Sequence, residues 1–534
     1  MANIFTQPCD EGFVRSRPAA APCTKAAEPW ILAATILGSS MAFIDGTVVN
    51  VALPALQANL NATVVDVQWV VESYALLLAA LILVGGSMGD RFGRRRIFSM
   101  GAALFALASV WCGAAPNVGQ LIVARAVQGV GGAMLVPGSL SIIAASFAEA
   151  RRGQAIGTWS SFTSITAAIG PVIGGWLIER VSWRAVFFIN VPLAVVVLLI
   201  SFWRVPESRN DAGADKPDWL GAALATIGLA AVVYGLIESS RLGLANPMVL
   251  GALVGGSMVL VAFIFVEARS PAPMLPLNLF RSRNFTGANL LTLFLYAALS
   301  GALFFFPLNL IQVQGYSATA AGAAFLPFIL IMFLLSRWSG GLVKSYGAKK
   351  PLVAGPVVAA IGYLLFILPG VEADYWKTFF PAIVVLGLGM AISVAPLTTT
   401  VMNAVPERLA GAASGVNNAV SRTAGLLGIA VFGVVILPVF AARLDRRLTE
   451  LNVSPETRSS IVEQRVRLAG IELPESIDEQ SKVTLRGAIN EAFVSGFHVV
   501  MSGAVALALA SALSAFIMIE GKLKPTRPTE RSTF

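Results

Sequence analysis

Of the 534 residues, only 13% are charged and 56% are apolar, with a mean hydropathy of +0.76. A soluble domain of this size carries about 25% charged residues. The deficit runs almost the whole length, which excludes a large soluble domain. The net charge of +9 would suggest a nucleic-acid partner in a soluble chain. Here the basic residues fall in short loops between apolar runs, where they orient a chain in a bilayer, so no nucleic-acid binding is expected. Cys9, Cys23 and Cys112 make no disulfide framework, and His498 is the only histidine. No metal site built on these side chains, and no cofactor, is expected.

Residues 1–28 read as a polar tail, without the apolar stretch and cleavage site of a signal peptide. A helix needs about 20 apolar residues to cross the hydrocarbon core. Fourteen runs qualify: 30–53, 68–89, 97–115, 117–138, 153–178, 185–203, 218–238, 247–267, 285–310, 319–343, 351–370, 376–402, 409–437 and 492–518. The expected architecture is an all-α membrane protein with 14 transmembrane helices. One six-helix bundle covers 29–204, and a linker with two inserted spans covers 205–270. A second six-helix bundle covers 271–520, and a tail covers 521–534. The even-numbered short loops hold sixteen Lys and Arg and the odd ones four. That excess places the even loops and both termini in the cytoplasm, in the cell (inner) membrane. The long segment 438–491 then falls outside. It reads either as amphipathic helices at the membrane surface or as a solvated cap.

Charges inside the spans demand a reason, because an Asp or Arg at a helix centre costs about 2.5–3.5 kcal/mol on insertion scales. Asp45 in span 1 and Arg125 in span 4 each lie about eight residues from the outer end of their run. At 1.5 Å per residue both sit roughly 12 Å deep, so they can pair if the two spans are neighbours. Asp45 reads as a proton or substrate site, or as a structural hydrogen-bonding group. Arg125 reads as a relay, or as a structural pin. Glu72, one turn into span 2, reads as a second coupling acid, or as a carboxylate that reaches water.

The loop after span 2, GGSMGDRFGRRR (85–96), carries the strongest motif. Gly86 and Gly93 allow sharp turns and close approach. Asp90 can cap or pair with a neighbouring helix end, and Arg91 and Arg94 bring positive charge. Residues 86–95 resemble the loop pattern Gly-x-Leu-x-Asp-Arg-x-Gly-Arg-Arg of the major facilitator superfamily, with Met88 in the Leu position. The resemblance implies a conformational latch made by Asp90 and Arg94. LIVARAVQGVGGA (121–133) is similar to the family's span 4, which adds Gln128 to the coupling or substrate residues. Residues 157–175 resemble the span 5 pattern of antiporters in Gly157, Gly170, Pro171, Gly174 and Gly175, with Thr166 in place of one glycine. Pro171 bends that span and the glycines permit close packing, as a hinge would require. AFIDGTVVNVALP (42–54) and WRAVFFINVP (183–192) are similar to the fourteen-helix drug:proton antiporter branch.

In the second half, residues 339–351 look like a decayed copy of the 2–3 loop, with Lys344 where the acid would stand. Arg422, midway in span 13, resembles a family position; Asn417 and Asn418 lie one turn before it. The two inserted spans are nearly free of charge, so no coupling site is expected on them. The resemblance implies a proton-coupled secondary transporter that exports small lipophilic or monocationic drugs or toxic compounds by alternating access. A facilitator or importer of a small metabolite on the same fold is the alternative. The expected partners are a small-molecule substrate, protons and the lipid bilayer. A monomer is expected, and a periplasmic adaptor is left open. An enzyme is not expected, since the spans lack paired nucleophiles and metal ligands, and no GxxxxGK[ST] stretch is present.

Overall fold

The computed structural model describes residues 27–147, 149–209, 218–271, 273–406 and 409–520. Of the two expected tails, residues 1–26 and 521–534 lie outside these. Among the described residues the chain is helical, without strands. In chain order the long helices are α1 (Glu28–Leu60), α2 (Val64–Phe92), α3 (Arg94–Ala114), α4 (Val118–Ser146), α5 (Glu149–Arg180), α6 (Asn190–Arg204), α7 (Trp219–Leu242) and α8 (Pro247–Arg269). They continue as α9 (Arg283–Leu308), α10 (Leu326–Tyr346), α11 (Lys349–Leu365), α12 (Phe380–Asn403), α13 (Ala410–Glu450) and α14 (Glu479–Met518).

Among the described residues, twelve helices are long and apolar enough to cross a membrane. The other two long helices are α5, with 32 residues, and α11, with 17. Side chains such as Leu107, Trp176, Phe202, Leu334 and Phe516 project outward from the bundle. In water such a surface would aggregate; in lipid it is at home. The polar ends are set by local chemistry. Asn61, at φ +50°, ends α1, and Thr63 with Asp66 forms a reciprocal capping box that starts α2.

The packing repeats. α1 lies against α5 and α6, α2 against α4, α3 against α4 and α6. Eight helices later the pattern recurs: α9 lies against α13 and α14, α10 against α12, α11 against α12 and α14. α7 and α8 pack on each other outside both sets, and α7 covers the line where α2 of the first half meets α13 of the second. α8 turns Leu250, Val254, Met258 and Val261 outward.

Two expectations about segment ends change. α1 runs to Leu60, so Asp45 is fifteen residues from its end rather than eight. The helix continues through Pro54 and the mixed stretch up to Leu60, where Pro54, Gln57 and Asn59 end the uninterrupted apolar run but not the helix. Likewise much of 438–491 is helix. α13 is 41 residues long and α14 is 40, about 60 Å each at 1.5 Å per residue, twice the hydrocarbon thickness. Their protruding ends are tied by Arg447, whose Nε donates to Glu491 at 2.8 Å. Between them a nine-residue helix (Pro455–Glu463) and a tight turn (Arg465–Gly470) bury Ile461, Leu468 and Ile471. The turn touches α1 and α2 as well as α13 and α14, so the segment is a packed cap across both halves. We call this the cap end of the bundle and the opposite one the tail end.

Candidate coupling site

The first half holds a closed polar cluster in its centre. The Arg125 side chain on α4 is 1% exposed, and Asp45 on α1 and Gln128 on α4 are fully buried. Arg125 Nη1 donates to Asp45 Oδ2, to which it is salt-bridged, and to Gln128 Oε1 at 2.7 Å; its Nε donates to the Val70 carbonyl at 3.0 Å. Gln128 Nε2 donates to Asp45 Oδ1 at 2.8 Å and to Ser109 Oγ at 2.9 Å. The guanidinium lies over the Tyr74 ring at 4.3 Å, with Phe187 at 5.8 Å. A buried ion pair holds only when such hydrogen bonds complete it. Asp45 is thus bonded through both oxygens, and the glycine beside it on α1, Gly46, is exposed, with no atom within 4 Å of where a Cβ would sit. The cluster itself is closed, and open space lies one residue further along α1, at Gly46.

The glycines of LIVARAVQGVGGA explain how α4 comes so close. A Cβ on Gly129 would overlap the Tyr74 carbonyl, and one on Gly131 would stand 2.7 Å from the Phe105 amide. Only glycine lets α2 and α3 approach on both sides. Tyr74, Ser109, Phe187 and Asn190 belong to the cluster but escape sequence reasoning. Ser109 and Asn190 left a faint signal as polar residues in apolar runs; Tyr74 and Phe187 left none. WRAVFFINVP gains a physical role. Arg184 donates to the Gly113 and Ala115 carbonyls at the end of α3, at 3.1 and 2.6 Å. Asn190 Nδ2 reaches Ser109 Oγ at 3.4 Å.

Glu72 and Arg422 lie apart from the cluster. Glu72 does not reach water: it is fully buried, and neither carboxyl oxygen has a hydrogen-bond partner. Arg422 is half-buried on α13, with an unpartnered Nε and Tyr74 within electrostatic reach. Asn417 Nδ2 donates across to α9, to Asn289 at 3.1 Å and Thr292 at 2.7 Å, while Asn418 is exposed. Phe304, Phe305 and Phe306 are buried; Phe306 meets Phe325 at 5.3 Å and Phe366 at 5.1 Å.

At the tail end, Asp90 and Arg94 pair across the α2–α3 corner, Nε to Oδ1 at 2.8 Å. Arg91 is exposed against Phe92. Gly93 has φ +109°, and a Cβ there would stand 2.7 Å from the Glu207 carboxyl carbon. Close approach to α4 is demanded of Gly85, whose Cβ would overlap the Ala133 carbonyl; Gly86 has room for one. Glu207, which follows α6, was invisible to sequence reasoning. It accepts from the first amides of α3, Arg95 N and Arg96 N, each at 3.1 Å. Burial pushes its carboxyl above the usual range, against the pull of Arg95 and those amides. Glu207→Ala should lower stability by about 0.5–2 kcal/mol, the worth of a lost helix cap, read as earlier thermal unfolding in detergent. An unchanged midpoint would remove Glu207 from the corner's support.

At the cap end, the Gly170–Gly175 stretch touches both halves. A Cβ on Gly170 would overlap Thr47 and one on Gly174 would overlap Val48, both on α1. A Cβ on Gly175 would overlap Ala318 in the short helix Ala318–Ala323 that leads into α10. Gly322 of that helix lies equally close to the Pro171 carbonyl. Glu179 accepts from the Thr319 amide at 2.6 Å, and Gln312 donates to Gln57 at 2.8 Å. Gly157 is exposed and has no such neighbour. Thr166 uses its hydroxyl to bond Ser40 on α1 at 3.0 Å.

Residues 35–429 match the Major Facilitator Superfamily. The chain is 32% identical to the multidrug resistance protein Stp of Mycobacterium tuberculosis over 92% of this chain and 90% of that one. It is 31% identical to the tetracenomycin C resistance and export protein of Streptomyces glaucescens over 94% of each. Among solved structures it is similar in fold to a bacterial homologue of the human lysosomal transporter Spinster. The TM-score is 0.64 at 18% identity, over 94% of this chain and all of that one. The chain belongs to the major facilitator superfamily, in its drug-efflux branch, and is a transporter rather than an enzyme.

Proposed function

We propose that the chain is a proton-coupled antiporter that exports small lipophilic or singly charged cationic compounds by alternating access. The observation that carries this reading is the Asp45–Arg125–Gln128 cluster: a buried acid held by a guanidinium, beside an exposed glycine on the same helix. Protonating Asp45 removes one charge of the pair, frees Arg125 and changes what the adjoining space attracts. Rocking of the halves then alternates the side from which the proton comes. Fourteen spans follow if α5 and α11 cross with the other twelve, with α7 and α8 as the insert. Loop charges put the tail end and both termini in the cytoplasm, and the cap outside the inner membrane. The names of the similar proteins support antibiotic-like cargo, and span 10 lacks an acid that would favour dications. The protein is read as a monomer. In inside-out vesicles, uptake of a fluorescent lipophilic cation such as ethidium should follow an imposed pH gradient and collapse with a protonophore. Uptake indifferent to the protonophore would favour a facilitator instead.

A further inference from the structure

Glu72 is set in a place that the Asp45 cluster leaves unexplained. The face of α2 that meets α4 carries Val70, Tyr74, Leu77 and Gly85. At 100° per residue, Glu72 points to the opposite side. There it shares a stripe with Val65, Leu76 and Ala79, which pack against Val233 and Ile237 of α7 and Leu426 and Ala430 of α13. Its neighbours on either flank confirm the direction. Gln68 donates to the Ile429 carbonyl of α13 at 3.2 Å, and Trp69 donates to Glu238 of α7 at 3.2 Å. Glu72 thus lies where the two halves and the α7–α8 pair meet.

Few titratable groups face it. On α7 these are Glu238, engaged by Trp69 and Arg241, and Tyr234, whose ring is 6.2 Å from that of Trp69. On α13 the nearest along the helix is Arg422, one turn before Leu426, and its electrostatic partner is Tyr74 on the opposite face of α2. α2 adds none on this face. Both oxygens of Glu72 are buried without a hydrogen-bond partner. An ionised carboxylate so placed is far more costly than a neutral acid.

We propose that Glu72 is a second proton-binding site, built into the seam of α2, α7 and α13. It holds its proton while the seam is closed and gives it to water when the halves part. This rests on the proton-coupled reading above. The seam is a moving contact by construction, because α2 and α13 belong to different halves. It is closed along its length: a Cβ on Gly433 would overlap Gln68, and one on Gly415 would stand 3.0 Å from Leu83. Parting the halves admits water to the carboxyl, which becomes a carboxylate as the proton leaves. The first inserted helix, α7, on which no coupling site was expected, forms one wall of this site.

The test is infrared titration of the purified full-length protein. The wild type should show a carboxylic-acid C=O band at neutral pH that Glu72→Gln loses and Asp45→Asn keeps. A band undiminished in Glu72→Gln would overturn the proposal. Should Glu72→Gln fold poorly, Glu72→Leu suits the apolar seam and must lose the same band. Leu also separates a packing role from a proton site. Full gradient-driven ethidium uptake by Glu72→Leu would overturn the coupling role. Failure of the broader reading shows elsewhere, as uptake in wild-type vesicles that ignores the pH gradient.

Discussion

Asp45→Asn should reduce gradient-driven export to the level of vesicles without the protein, while the protein still reaches the membrane. The amide keeps the shape of the acid but binds no proton, so the step that couples the gradient is lost. It also leaves the Arg125 guanidinium buried without its counter-ion. Breaking such a pair costs about 3–5 kcal/mol. Here the loss should fall toward the lower figure, because the Gln128 and Val70 oxygens and the Tyr74 ring still receive the guanidinium. Stability and coupling can be separated by removing both charges. Asp45→Asn combined with Arg125→Met should regain much of the stability, since paired replacement by apolar groups is often neutral. It should regain none of the driven transport. Protonophore-sensitive export by Asp45→Asn at wild-type rates would sink the proposed role.

Gly175→Val and Gly322→Val should hold the cap end open. Each adds a side chain where backbone of the opposite half already stands, at Ala318 and Pro171 respectively. Overpacking of this kind costs about 1–3 kcal/mol, and that cost applies only to the closed arrangement. With 1.4 kcal/mol per factor of ten, the population open at the cap end should rise roughly five- to a hundredfold. The readout is an Asn50→Cys probe, half-buried on α1, labelled with a membrane-impermeant maleimide. Labelling should accelerate by that range and transport should fall. Gly157→Val is the control, since no described atom lies within 4 Å of where its Cβ would sit. Equal labelling in Gly175→Val and Gly157→Val would show that the close contact does not hold the cap end shut.

These predictions draw unequally on sequence and structure. Twelve of the fourteen expected spans were legible, because apolar runs of membrane length are hard to read otherwise, and the glycines of spans 4 and 5 other than Gly157 include those of the close approaches. Asp45 and Arg125 stood out because an ion in an apolar run is costly. Their partners did not. Tyr74 and Phe187 look like any aromatic in a membrane helix until the guanidinium is seen on the Tyr74 ring. Glu207 caps α3 from more than a hundred residues away, and no local pattern records that bond. The depth argument for the ion pair used an α1 that ends too soon, yet the pair forms, because helix packing rather than distance from the run's end sets which residues meet.

By itself the sequence determined that this chain is a bundle of membrane helices with a few expensive polar residues inside. That follows from composition and periodicity, which depend only on transfer from water to lipid. Tertiary structure alone decided how those residues are used. It joined Asp45, Arg125 and Gln128 into one satisfied cluster and left Glu72 unpartnered against α7 and α13. It also turned the polar stretch before the last helix into a cap across both halves. Hydrogen bonds and ion pairs act over a few ångströms, so their outcome waits on which helices become neighbours.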